Sequence, residues 1–308
     1  MENTKKPFNV RLKKKLRKLL IKIGKLFISL WEFIKKIYKN PKSAFGFSVI
    51  LFFVIIGIIG PLIWPYSSTV DTSQAYLPPS AEHPFGTDWM GLDIFRQLIK
   101  GTKDVLKVAF YTAFISVFIG TVLGILSGYL GGWIDKVVTL LCNIFLSVPS
   151  FPVYLMLAAL FTINSPIVMA LVISVFSWAG LARAIRVEIT SLKERDFIQI
   201  CRVMNMSNGH IVFKELFPNI TSYIVVNFVL ILRGAILASV GIMLVGLASY
   251  NPTDWGAIMQ AARSRGLMNI NNVIIMLYPL VAILLFQASA LLLSEGLDEV
   301  VNPRLRRV

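Results

Sequence analysis

Between Ile189 and Asn219 the chain sets a polar stretch, ITSLKERDFIQICRVMNMSNGHIVFKELFPN, between two long apolar runs, and its residue types suit recognition rather than bond-making. Ser191 and Glu194 have the spacing of a capping box, which predicts a helix starting near Leu192. On that helix Phe197, Ile200, Cys201 and Met204 share one face, while Arg195, Gln199 and Arg202 point elsewhere. Asn205 or the turn Ser207-Asn208-Gly209 then breaks it, a second short helix follows through Phe213, and Pro218 closes that one. Two short amphipathic helices, stiffly continuous with the apolar runs on either side, suit the transfer of rigid-body movement between a soluble partner and the rest of the chain. A plain connection needs only a few residues.

Catalysis has no comparable claim. An embedded enzyme needs His, Asp, Glu or Ser groups converging at one depth, and the apolar runs hold no such cluster. An ion-coupled carrier, the alternative of a different class, would want carboxylates there or paired broken helices in repeated halves. No G-x-x-x-x-G-K-[ST] run exists, so the chain has no phosphate-cradling loop of its own. Cys142 and Cys201 form no CxxC or Cys/His pattern, and His83, Asp88 and Asp93 lie in a turn-rich loop whose polarity accounts for them, so no metal site is expected. Arg233 is a cation deep in an apolar run; it either lines the path of a polar solute or pairs with backbone carbonyls. Pro149 and Pro152, in SVPSFP, each remove a helical hydrogen bond and predict a kink.

Composition fixes the elements that carry these residues. Of 308 residues, 56% are hydrophobic and 15% charged, with a mean hydropathy of +0.71, which places the chain among polytopic membrane proteins. A span needs roughly 20 mostly apolar residues, and six stretches qualify, at 43–65, 104–130, 134–162, 166–188, 219–248 and 272–294. The expected fold is all-α: a membrane bundle of six transmembrane helices with a cytoplasmic helical loop at 189–219. Gly120, Gly124 and Gly128 make a stripe on which a neighbouring helix can pack closely. Fourteen basic residues precede residue 43, whereas the loops at 67–101 and 249–271 carry four between them. The positive-inside rule therefore puts both termini and the 189–219 stretch in the cytoplasm. Residues 1–42 interleave Leu12, Leu16, Leu19, Ile23, Phe27, Trp31 and Tyr38 with lysines, which predicts an interfacial helix on anionic membrane lipid, or else a basic tail, rather than a nucleic-acid contact. The expected division is 1–42 as this segment, 43–101 as first helix and long extracytoplasmic loop, 102–296 as a five-helix core, and 297–308 as a cytoplasmic tail.

The stretch KERDFIQICRVMNMSNGHIVFKELFPN at 193–219 is similar to the coupling loop of ABC-transporter permeases, whose consensus runs E-A-A, three residues, G, about nine residues, I/L-x-L-P. HPFGTDWMGLDIF at 83–95, GYLGGWID at 128–135, SWAGLARAIR at 177–186, GAIL at 234–237, DWGAIM at 254–259 and EGLDEVVNPRLR at 295–306 follow in the order of the dipeptide, oligopeptide and nickel class. From about residue 43 onward the chain resembles the second, C-type permease of the pair in such transporters. It departs in having Gln199, Ile200 and Cys201 for E-A-A, Asn205 for Gly, and Leu92 for Arg. At 238–247 ASVGIMLVGL replaces a stretch in which relatives carry a glutamate, leaving Ser239. Asn tolerates the left-handed backbone the glycine would supply. The resemblance implies a multi-pass subunit of a plasma-membrane importer that is not itself an enzyme and binds no cofactor, with ATP and Mg held by two separate ATPase subunits. Its other partners would be a second homologous permease and an extracytoplasmic solute-binding protein. Glu194, Phe197, Gln199, Ile200, Cys201, Met204, Asn205 and Ser207 would form the ATPase-docking loop, and Arg233, Ser239 and Pro149 would lie on the translocation path. Di- or oligopeptide is the expected cargo, oligosaccharide the alternative, nickel a more distant one.

Overall fold

The computed structural model describes residues 31–248 and 251–301, Phe33 excepted. The expectation for Leu12 to Phe27 and that for 302–308 lie outside the described residues. Eleven helices are named here: α1 Pro41–Ile63, α2 Ile94–Leu130, α3 Gly132–Ser147, α4 Ser150–Leu160, α5 Pro166–Ser177, α6 Ala179–Lys193, α7 Asp196–Val203, α8 Asn208–His210, α9 Phe217–Val245, α10 Trp255–Ser264 and α11 Ile270–Val301, with a π-helical turn at Ile211–Leu216 joining α8 to α9. Among the described residues α1, α2, the continuous run from α8 through α9, and α11 are each long and apolar enough to cross a membrane, and the count is six if each of the bent pairs α3/α4 and α5/α6 is one span. The protein is an all-helical membrane bundle.

Small residues set how closely the helices approach. A Cβ at Gly120, Gly124 or Gly128 would lie 2.9, 2.7 and 2.7 Å from the carbonyl oxygens of Trp178, Ala182 and Arg186. The stripe on α2 therefore lies along the matching i, i+4 row of α6 and serves packing within the chain. α1 closes against α11 in the same way: a Cβ on Gly296 would meet that of Ser43 at 2.6 Å. At that end Asn40 donates to Glu299 at 2.6 Å and Lys42 pairs with the same carboxylate at 3.0 Å.

Three features differ from the expected layout. The 134–162 span is a break rather than a kink, with α3 and α4 at 87°, because Pro149 lacks an N–H and Val148 before it takes an extended backbone, ψ 129°. The 166–188 span also bends, by 47° at Trp178, without a proline. There the Ser174, Ser177 and Trp178 side chains donate to the carbonyls of Leu171, Ile173 and Val175, each at 2.9 Å, drawing acceptors out of the helical ladder. Third, the 249–271 loop contains a helix, α10. Asp254 caps it through Gly256 N–H at 3.1 Å, and fully buried Trp255 packs on Phe53 with ring centres 5.7 Å apart. Trp255, Ile258, Met259 and Ala262 carry the 3–4 spacing that could have revealed it.

Candidate functional site

The cytoplasm-predicted stretch is rebuilt relative to expectation. The capping box does not form: α6 runs through Ser191 and ends at Glu194, and α7 begins at Asp196 with Arg195 as an uncapped N-cap. Continuity with α6 wins, because Ile185 and Ile189 already bury that helix's inner face. The proposed common face also divides. Ile198, overlooked in the sequence, and Cys201 are the buried pair, seated with Ile189, Ile211, Leu216 and Ile220 in one core. Phe197, Ile200, Val203 and Met204 remain 38, 57, 87 and 63% exposed. α7 thus has one apolar stripe holding it to α6 and α9 and a second facing away from the bundle, an unusual surface unless something covers it.

The turn after α7 follows residue chemistry. Asn205 takes φ 53°; Met206 N–H bonds to Cys201 O at 3.0 Å and Asn205 N–H to Arg202 O at 2.9 Å, satisfying the last carbonyls of α7. Ser207 caps α8, its hydroxyl accepting from His210 N–H at 3.3 Å. Gln199, where the permease consensus has a carboxylate, donates to Lys193 O at 3.2 Å. Pro218 does not close the second helix as expected. The π-helical turn widens the ladder ahead of it, with Phe217 N–H bonding to Val212 O, so the proline ring is accommodated and α8 runs into α9 as one rod.

Polar contacts bind this module to the rest of the cytoplasm-predicted side. Tyr129, near the end of α2, donates its hydroxyl to Asn208 at 2.8 Å and accepts Lys193 Nζ on its carbonyl at 2.8 Å. In the first turn of α3, Asp135 receives a two-pronged hydrogen bond from Arg186 of α6, Nη2 to Oδ2 at 2.6 Å and Nε to Oδ1, and also accepts from Ser127 at 2.5 Å. These contacts tie α2, α3, α6 and α8 together at one end of the bundle.

The three path candidates separate. Arg233 donates from Nε to Gln287 of α11 at 2.7 Å, and Gln287 returns an N–H to the Arg233 carbonyl at 3.0 Å. Ser239 is buried, its hydroxyl donating to Ile236 O at 3.0 Å. Pro149 stands at the α3/α4 break, flanked by Val148 and Ser150, which line a cavity of about 500 Å³. On the outer loop, Asp88 accepts from Met90, Leu92 and Gln97 at 2.8, 3.0 and 2.8 Å. Asp93 caps α2 through Arg96 N–H at 2.9 Å and pairs with His83 at 2.9 Å. These carboxylates are occupied in holding the loop and the head of α2. Cys142 and Cys201 are free thiols.

Known proteins resemble this chain in sequence over most of its length. Residues 29–79 match the N-terminal transmembrane domain of oligopeptide transport permease C. The dipeptide transport system permease protein DppC of Alkalihalophilus pseudofirmus is 30% identical over 283 residues, covering 91% of each chain. The glutathione transport system permease protein GsiD of Salmonella typhimurium is 29% identical, with 89% of this chain and 90% of the relative covered. The metal-staphylopine import system permease protein CntC of Staphylococcus aureus is 31% identical, with 88% and 93% covered. Residues 120–307, from the glycine stripe of α2 through the α7 module to the last helix, match the binding-protein-dependent transport system inner membrane component, and the chain belongs to that family, as a permease subunit of a binding-protein-dependent ABC importer.

Proposed function

We propose that this chain forms half of the translocation path of an ATP-driven peptide importer in the cell membrane and that α7 is where a separate ATPase subunit docks. The supporting observation is the pair of apolar stripes on α7, one sealed into the bundle by Ile198 and Cys201 and the other, Phe197, Ile200, Val203 and Met204, exposed. A partner that seats on the outer stripe moves α6 and α9 through the inner one. ATP and Mg belong to the two ATPases; a second permease completes the path and an extracytoplasmic binding protein delivers solute. The positive-inside rule supports a cytoplasmic place for both termini, with 43–101 as the first helix and outer loop and 102–296 as the core. Dipeptide and glutathione stand in relatives' names, which favours a peptide cargo over an oligosaccharide.

The test is Ile200→Asp and Met204→Asp in the complete transporter. Both positions are exposed, so thermal stability should hold to within about 0.5 kcal/mol. Peptide uptake should fall about tenfold or more, as for loss of a central interface anchor, while ATP hydrolysis loses its dependence on cargo. Unchanged uptake in both variants contradicts the docking surface.

A further inference from the structure

Where α3 breaks from α4, a cavity of about 500 Å³ opens between the break, α5 and α9. Its walls include Phe145, Phe151, Tyr154 and Phe176, and no charged side chain lines it. The rings brace one another: Phe145 and Tyr154 sit 5.2 and 5.8 Å from Phe176. Tyr154 is only 6% exposed as a residue and lines this space; its hydroxyl makes no hydrogen bond among the described residues and is not sealed away from the space, so it can bond what enters. Pro149 has no N–H, so the Phe145 carbonyl lacks its i+4 donor, and the first N–H groups of α4, from Ser150 and Phe151, lack acceptors within their own helix. Backbone acceptor and donor therefore stand at one break, beside an unpaired hydroxyl and an aromatic wall. On the opposite wall Gly234 leaves open space, with nothing within 4 Å of where a Cβ would be.

We propose that this cavity is a transit subsite for an uncharged, bulky side chain of a peptide cargo, with Tyr154 and the broken backbone bonding the cargo's peptide unit. Aromatic walls without charge accept Phe or Leu side chains and exclude ionised ones by desolvation. Broken helices supply free backbone groups at membrane depth only where they line such a space. The proposal rests on the peptide reading above and goes further by placing within this subunit a preference among peptides.

Complete transporter in lipid vesicles, supplied with ATP and binding protein, is offered labelled Ala-Phe, Ala-Ala and maltotriose. Gly234 lines the cavity with nothing within 4 Å of a Cβ there, so Gly234→Leu is expected to cut Ala-Phe uptake about tenfold relative to Ala-Ala, whereas Gly234→Ala leaves both near wild type. Tyr154→Phe should raise KM for Ala-Phe severalfold with kcat nearly unchanged, since the hydroxyl binds cargo rather than moving the bundle. Wild-type dipeptide uptake combined with an unaltered Ala-Phe to Ala-Ala ratio in Gly234→Leu, or an unaltered KM in Tyr154→Phe, overturns the subsite alone. Uptake of maltotriose with neither dipeptide overturns the peptide cargo as well.

Discussion

Arg233 shows how one charge in an apolar run constrains its neighbours. The sequence left it between lining a path and pairing with carbonyls; the structure gives it Gln287, whose amide both accepts from the guanidinium and donates to the Arg233 carbonyl. Nothing in spacing along the chain could have paired residues 54 positions apart. Gln287→Leu strips the acceptor from a cation and should destabilise the protein by roughly 1–3 kcal/mol, read as a lower unfolding temperature in detergent. Arg233→Met combined with Gln287→Leu should recover most of that loss, because both partners are then apolar. The Asp135–Arg186 pair was equally invisible in the sequence, although GYLGGWID and SWAGLARAIR, which carry it, were singled out. Arg186→Lys keeps the charge but loses the two-pronged geometry, so it should lower stability and loosen cargo-dependent ATP hydrolysis. Full coupling in that variant would mean the link between α3 and α6 is not needed. Asn205 is the opposite case: it stands where the permease consensus has glycine, and it takes the left-handed turn that this resemblance implied.

At the scale of elements, legibility followed how local the cause was. Pro149 announced a disturbance in the third span, and only its size was underestimated. The bend at Trp178 has no proline and arises from three side-chain donors to carbonyls, a pattern visible in Ser174, Ser177 and Trp178 only once the backbone is known. The Ser191/Glu194 box misled because a helix already running favours continuing over restarting. α10 was missed because ten residues fall short of a span, though it buries Trp255 and carries a titration. Asp254, buried at its N-cap with Asp104 nearby, has its pKa pushed from 3.8 up to about 7, burial being the main cause. A carboxylic acid raised in the folded state stabilises fully below its unfolded pKa, and that contribution is lost as pH rises through about 7. The protein in detergent should therefore lose thermal stability between about pH 4 and pH 7. Asp254→Asn keeps the cap and should flatten that dependence; an identical slope in both proteins would show that Asp254 does not titrate in this range.

For the whole molecule, the all-helical class came from the lengths and periods of the apolar runs, because lipid demands that each run satisfy its own backbone, while the expected six spans correspond to four long helices and two bent pairs. What hydropathy could not show is the second, inward stripe of α7, whose burial depends on α6, α9 and the π-helical turn meeting there. That arrangement is what supports the proposal that a partner docked on α7 moves the bundle through α6 and α9. The most direct measurement is solute accumulation in sealed vesicles bearing this chain with its partner permease, ATPases and binding protein. ATP alone should drive labelled dipeptide against its gradient, with no accumulation from a proton or sodium gradient in its absence. Accumulation that follows an ion gradient without ATP would contradict the account.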